Sequence, residues 1–238
     1  MLAAILNGEE DPEKLADLAR GRLRAKIPEL RLALAGRVTE HHRFLLRQWL
    51  DTLEFLEQSI ATFDRRIEEQ MRPFQAAVAC WMGMPGVDRV IAWTLVAEIG
   101  VDMNQFPTAE HLASWACLCP GNNESAGKRK AGRTRRGSVW VRRGLSEGAW
   151  AASRKKGSYF KAQYHRLAAR RGMKRATIAV AHSLLVTAYY MLKRGVVFAD
   201  LGDQYFDRLQ ARQLKRRLAT RLEALGFQVV LTPAQPVA

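Results

Sequence analysis

Seven apolar side chains, Leu46, Trp49, Leu53, Leu56, Ile60, Phe63 and Ile67, follow one another at intervals of 3, 4, 3, 4, 3 and 4 residues. Only an α-helix brings such positions onto one line. Over about three heptads they make a seam along roughly 33 Å of helix. A strand is excluded, because its period of two would scatter the same residues over both faces. Two readings fit the seam: a coiled-coil arm that joins protomers, and an amphipathic helix packed on its own domain. The bulk of Trp49 and Phe63 sits awkwardly in a dimeric seam.

The second constraint is the placement of charge. Of 38 Lys and Arg and 23 Asp and Glu, 17 bases and a single acid, Glu147, lie between Lys128 and Arg175. The other 21 bases face 22 acids, so the formal net charge of +15 resides in one 48-residue segment. Solvated helix faces mix signs, whereas a block of one sign repels itself without a partner. The segment therefore points to a polyanion, and the partner expected is a nucleic acid. Trp140, Trp150, Tyr159, Phe160 and Tyr164 interleave the run. They could stack on bases, but most are expected in the core.

Other function classes fall away. The most apolar run, Ala176 to Leu192, is interrupted by Thr177, His182, Ser183 and Thr187. It reads as a buried core helix rather than a bilayer span, so no membrane partner is expected. Met1 to Asn7 lacks a basic n-region and a cleavage site, as a signal peptide would not. Cys80, Cys117 and Cys119 are odd in number and read as reduced thiols of a cytoplasmic protein. Cys117 and Cys119 have no histidine pair at ligand spacing, so no metal site is assigned.

Local signals divide the rest of the chain into helices. Asp11-Pro12-Glu13 starts one, and Pro28 begins another. Met84-Pro85-Gly86-Val87 is a tight connection into a helix from Arg89 to Ile99, closed by Gly100. Two helices joined by such a turn resemble a helix-hairpin-helix, whose backbone N–H groups take a phosphate, which makes Gly86 a candidate. The usual second glycine is here Asp88, whose carboxylate repels phosphate and makes a good N-cap. Thr108 caps a helix to about Ala116, and Cys119 to Gly127 is a loop by composition. Helices resume near Ser138, Ser158 and Lys174, and a last long one runs from about Gln204 to Ala224. Phe227 to Thr232 is a candidate short strand, and Pro233 to Ala238 a tail. The expected fold is mainly α: a coiled-coil-like helical arm, then a compact basic helical domain with a helix-hairpin-helix-like element. The expected divisions are residues 1–75 for the arm, with its seam at about 46–67, 76–207 for the basic domain, and 208–238 for a C-terminal helix and tail.

The segments MPGVDRVIAWTLVAEIG, FPTAEHLASWACLCPGNNESAGKRKAGRTRRG, WVRRGLSEGAW and YHRLAARRG resemble the C-terminal transposase domain of the IS-one-ten/IS-eleven-eleven insertion-sequence recombinases. The resemblance is close from about Pro85 to Asp207. It implies a DNA recombinase that moves insertion sequences, with some members guided by a structured RNA, so a guide RNA joins DNA among the partners. It also implies two parts that assemble across subunits. One is an RNase-H-like domain whose acidic residues bind divalent metal (Mg). The other is a helical domain with a nucleophilic serine, which maps onto Glu124-Ser125. Nothing in residues 1–80 reads as alternating strands with embedded aspartates, so the chain resembles a truncated or split member. No cofactor is then expected on this chain itself, and metal only with the acidic domain.

A serine that attacks a phosphodiester needs activation and fixed cations around the phosphate. Lys128, Arg129, Lys130, Arg133, Arg135 and Arg136 follow Ser125 within 11 positions, and Arg142 and Arg143 come shortly after. The planar, permanently charged guanidinium suits that role. A tyrosine recombinase is a poor fit: Tyr159, Tyr164, Tyr189, Tyr190, His165 and His182 do not fall in its ordered signature. Two readings remain. One is the serine-bearing part of a transposase. The alternative is a non-catalytic basic DNA- or RNA-binding remnant in which Ser125 only hydrogen-bonds.

Overall fold

The fold comes from a computed structural model that describes residues 1–119, 124–129 and 137–230, without the side chains of residues 124, 125, 129 and 212–214. It is mainly helical and divides into two compact units, Met1–Gln70 and Met71–Ala238.

The first unit opens with short helices α1 (Leu2–Leu6) and α2 (Pro12–Asp17), a 3-10 turn (Gly21–Lys26) and α3 (Ile27–Leu34). The Asp11 carboxylate accepts from the Glu13 N–H at 2.9 Å and Pro12 takes the first helical position, so α2 begins where the sequence places it. α2 packs on α3. Ile5, Leu15, Ala16 and Ala19 form a small buried set. Arg43 ties the next helix to it, donating to the Ile5 carbonyl at 3.2 Å and pairing with Glu10.

That helix, α4, runs unbroken from Glu40 to Met71, 32 residues or about 48 Å. None of its residues is buried. Trp49 is 66% exposed and Phe63 69%, and Leu53, Leu56 and Ile60 are exposed with them. The helix expected from the 3,4 spacing is there, but its seam faces outward rather than packing into a core.

The second unit is built around α10 (Met173–Arg194), with α5 (Gln75–Met82), α6 (Arg89–Ile99), α7 (Ala109–Trp115), α8 (Val139–Ala152) and α9 (Tyr159–Arg171) before it. α5, α7, α8 and α9 all pack against α10, and α6 packs on α5 and α8. α10 buries Ala176, Val180, Ala181, Leu184, Leu185, Ala188, Tyr189 and Met191. The apolar run at 176–192 is thus the core helix it was read to be. No helix among the described residues is long and apolar enough to cross a membrane.

The turn between α5 and α6 is set by packing. Gly86 has φ +81, and a Cβ there would meet the Gly148 carbonyl oxygen at 2.2 Å and the Ala152 nitrogen at 2.6 Å. The turn therefore lies directly on α8, with Met84 and Val87 buried beneath it. Asp88 caps α6 as expected, accepting from the Ile91 N–H at 2.8 Å.

Three expectations change at the edges. Thr108 makes no side-chain bond to the N-terminal backbone of α7; its hydroxyl lies 3.0 Å from His111 Nδ1 instead. The last long helix is two, α11 (Tyr205–Leu209) and α12 (Ala211–Glu223), because Gln210 leaves the helical region at φ −116, ψ 24. Residues 227–230 form no strand, since no ladder partner lies beside them among the described residues.

Candidate nucleic-acid interface

The base of the loop between α7 and α8 is held at several points. Cys117 has φ +53, a backbone state that non-glycine residues seldom adopt. Gly137 lies against it: a Cβ at position 137 would stand 2.8 Å from both Cys117 Cβ and Sγ. Next to it, the Ser138 hydroxyl donates to Glu98 at 2.7 Å and accepts from the Val141 N–H at 3.2 Å. The last bond caps α8. Residues 117 and 137 are therefore in contact, and the intervening chain begins and ends at one place on the unit.

Within that loop the backbone of residues 124–129 is a hairpin. β1 (Glu124–Ser125) pairs antiparallel with β2 (Lys128–Arg129), setting Glu124 against Arg129 and Ser125 against Lys128. Ala126 at φ +50 and Gly127 at φ +72 form the two-residue turn, with positive φ at both central positions as a tight hairpin needs. The alanine bears a left-handed backbone cost of about 1–2 kcal/mol. Composition alone marked this stretch as loop, because a two-residue ladder leaves no periodicity to read. The register brings Ser125 and Lys128 together, and Lys128 is exposed. The side chains of Ser125 and Arg129, and all of Lys130, Arg133, Arg135 and Arg136, lie outside the described residues.

α8 supplies a surface that the sequence reading only half found. Its inner face buries Val141, Gly144, Leu145, Gly148, Ala149 and Ala152. The opposite face and the turn after it carry Trp140, Arg143, Glu147, Trp150 and Arg154, again spaced 3, 4, 3, 4. Trp140 is 60% exposed and Trp150 44%, with the Arg154 guanidinium 4.6 Å over the Trp150 ring. These two tryptophans lie outside the core, because the inner face of α8 is filled by small residues that let α6 and the Gly86 turn approach closely. Phe160 and Tyr164 are core as read. Spacing along α8 is the signal that sets the two tryptophans on the face opposite its buried residues. Arg142 is half-buried and Arg143 exposed. The second of these reaches Glu147 Oε1 at 3.0 Å, an i, i+4 surface pair worth only a few tenths of a kcal/mol.

That pair uses the segment's single acid. Among the described residues, no other Lys or Arg between 128 and 175 has a carboxylate within 4.0 Å. Arg170 and Arg171 end α9, where the helix dipole favours them, but Lys174 and Arg175 stand in the first turn of α10, where it does not. No side chain caps that first turn. The local conflict is one that a bound anion relieves.

Gly86 is placed differently from this surface. The side on which a Cβ would project is filled by the backbone of α8, so its positive φ answers a packing demand. Beside the loop, Thr108 is the main influence lowering the Glu110 carboxyl below its usual range, helped by the Glu110 N–H and by His111 and His182. Burial pushes His182 down, partly offset by Glu110. Burial, then Cys117 and Glu110, pushes the Cys119 thiol up, and burial does the same for Cys80, which keeps both as thiols. Among the described residues no three His, Cys, Asp or Glu side chains converge to hold a metal ion. The divalent metal that the resemblance implies therefore finds no fitting ligand set there.

Comparison with known proteins bears out the resemblance at family level over part of the chain. Residues 78–165 match the family described as Transposase IS116/IS110/IS902 family. A protein of Pseudomonas aeruginosa named "Probable family 20 transposase" is 32% identical over 111 residues. That alignment takes in 46% of this chain and 32% of the relative, so the chain spans about a third of the length of the curated relative it matches.

Proposed function

We propose, on the premise that residues 78–165 share the transposase family's descent, that the second unit is a nucleic-acid-binding body that grips DNA through its phosphate backbone. One observation carries this reading: among the described residues, the exposed cations of α8, α9 and α10 are almost without carboxylate partners in their own unit. Phosphates supply the missing countercharge, and Trp140 and Trp150 add flat surfaces for unpaired bases. Phosphate contacts do not distinguish DNA from a structured RNA, so a guide RNA suits the same surface. The test is charge reversal. Arg142→Glu with Arg143→Glu should abolish binding of a labelled duplex at about 150 mM salt while helical content stays unchanged. Binding undiminished in that variant would refute the reading.

A second reading has its own support. Ser125 borders a two-residue turn with a strained alanine, directly across the ladder from Lys128 and at the head of the basic loop. Backbone strain of this kind concentrates at functional positions. In this reading the Ser125 hydroxyl gives up its proton and its oxygen bonds to phosphorus, while the bond to a deoxyribose oxygen breaks and that oxygen takes up a proton. The ester bond energy is kept for the next strand. Ser125→Ala, with an acidic metal-binding domain supplied in trans, should lose strand exchange at least a thousandfold and keep DNA binding. Exchange retained by the alanine variant removes Ser125 from the chemistry.

For α4 the occupant proposed is a second copy of this chain. A long helix without tertiary cover draws little stability from propensity alone. Identical heptad seams interdigitate, and covering six half-exposed large apolar side chains contributes on the order of 10 kcal/mol before association costs. Leu53→Glu with Leu56→Glu should convert the oligomer to monomer in sedimentation velocity. A wild-type chain that sediments as a monomer throughout the micromolar range rules this out.

A further inference from the structure

The second unit holds an open cleft of about 540 Å3 that shares the α9 arginines with the basic surface described above. It lies between α9 and the α11–α12 pair. Ala162 and Ala169 form one wall, and three guanidiniums, Arg166, Arg170 and Arg217, border it with two carboxylates, Asp203 and Asp207. Arg166 is already engaged: it donates to Gln210 and lies over Phe206, whose ring stacks on Tyr159 at 5.1 Å. This cluster fixes the geometry of the cleft.

The other charges are held apart. Neither Arg170 nor Arg217 comes within 4.0 Å of a carboxylate among the described residues, although Asp203 and Asp207 line the same space. Bases and acids set in one cleft without pairing are arranged for a ligand that carries an anion and hydrogen-bond donors together. A carboxylate only accepts, and a guanidinium only donates. A nucleotide has both needed parts: a phosphodiester for the arginines and, on cytosine, adenine or guanine, an exocyclic amine for an aspartate. The volume suits one small ligand and is far too small for a duplex.

We propose that this cleft takes one unpaired nucleotide of a bound strand, with its phosphate on Arg170 and Arg217 and the exocyclic amine of its base on Asp203 or Asp207. The inference rests on the reading of the second unit as a nucleic-acid-binding body and gives that body a base preference. Cytosine and uracil test it, because they are alike in size and differ at position 4, an exocyclic amine in one and an oxygen acceptor in the other, and at N3, an acceptor in cytosine and a ring N–H in uracil.

The experiment measures fluorescence anisotropy of the full chain with labelled oligomers of about 12 deoxycytidines or deoxyuridines at one salt concentration. The cytidine oligomer should bind about tenfold tighter. Asp203→Ala with Asp207→Ala should reduce that ratio to within twofold while the uridine oligomer still binds. Arg170→Gln with Arg217→Gln should weaken both oligomers together. Each variant's thermal midpoint is compared with the native chain, and the single Asp207→Ala, at an exposed position, stands in if the double variant unfolds. Equal affinity of the native chain for the two oligomers overturns the proposal, as does a cytidine preference that survives loss of the aspartates. A chain that binds both oligomers, loses them with Arg142→Glu and Arg143→Glu and ignores every cleft substitution sinks this inference alone. A chain that binds neither oligomer and no duplex sinks the nucleic-acid reading with it.

Discussion

Raising salt from about 50 mM to about 200 mM is expected to cost this chain about a thousandfold in affinity for duplex DNA. Each phosphate neutralised by Lys or Arg releases condensed counterions, so the logarithm of the binding constant falls linearly with that of salt. About six contacts give a slope near −5, and a fourfold rise in salt then multiplies to about three orders of magnitude. Cations of α8, α9 and α10 suffice for six, since only Arg143 among those described has a competing carboxylate. Reversing Arg142 and Arg143 removes two contacts, and whatever binding survives at low salt should show a slope shallower by about two. Single strands should keep a salt-resistant remainder from stacking on Trp140 and Trp150, which Trp150→Ala reduces. A flat salt response in filter binding means that the cations do not touch a backbone.

The second large effect is on stability. Gly86→Ala should destabilise the second unit by about 3 kcal/mol or more. The new Cβ would sit 2.2 Å from the Gly148 oxygen and 2.6 Å from the Ala152 nitrogen, both backbone atoms, and φ is +81. No rotamer change relieves that overlap, so the turn must lift off α8. The thermal midpoint should fall by about 6–12 °C. Gly144→Ala is the control with the opposite sign. Its Cβ would meet Ile91 Cγ2 at 3.6 Å, an ordinary contact, and a mid-helix glycine replaced by alanine gains about 0.5–1 kcal/mol. Equal midpoints for the two variants would show that the turn does not rest on α8 as described.

Gly86 also shows where sequence reading stops. A glycine in a turn between helices fits a phosphate-binding hairpin and a close packing contact equally well. The packing contact itself is made by Gly148 and Ala152, more than 60 positions away in the chain. Asp88 was legible without them, because a cap is made with its own helix three residues on. The α8 tryptophans fall between these cases: their helical spacing was in the sequence, but which face of α8 is inward depends on α6 and the Gly86 turn. The cleft beside α9 had no sequence signal at all, since its arginines and aspartates come from three helices and a turn and become neighbours only by folding.

What the sequence determined by itself is what short range and summation decide. The α4 helix follows from a 3,4 period, the Asp11 and Asp88 caps from residues within one turn, the core helix α10 from its apolar run, and the positive segment from adding charges. Tertiary structure decided what depends on distant atoms: the outward face of the α4 seam, the approach of Gly137 to Cys117 at the base of the basic loop, and the close contact of the Gly86 turn with α8. The reason is that periodicity and capping act within a few residues of backbone, whereas exclusion of one atom by another is set by whatever part of the chain arrives there.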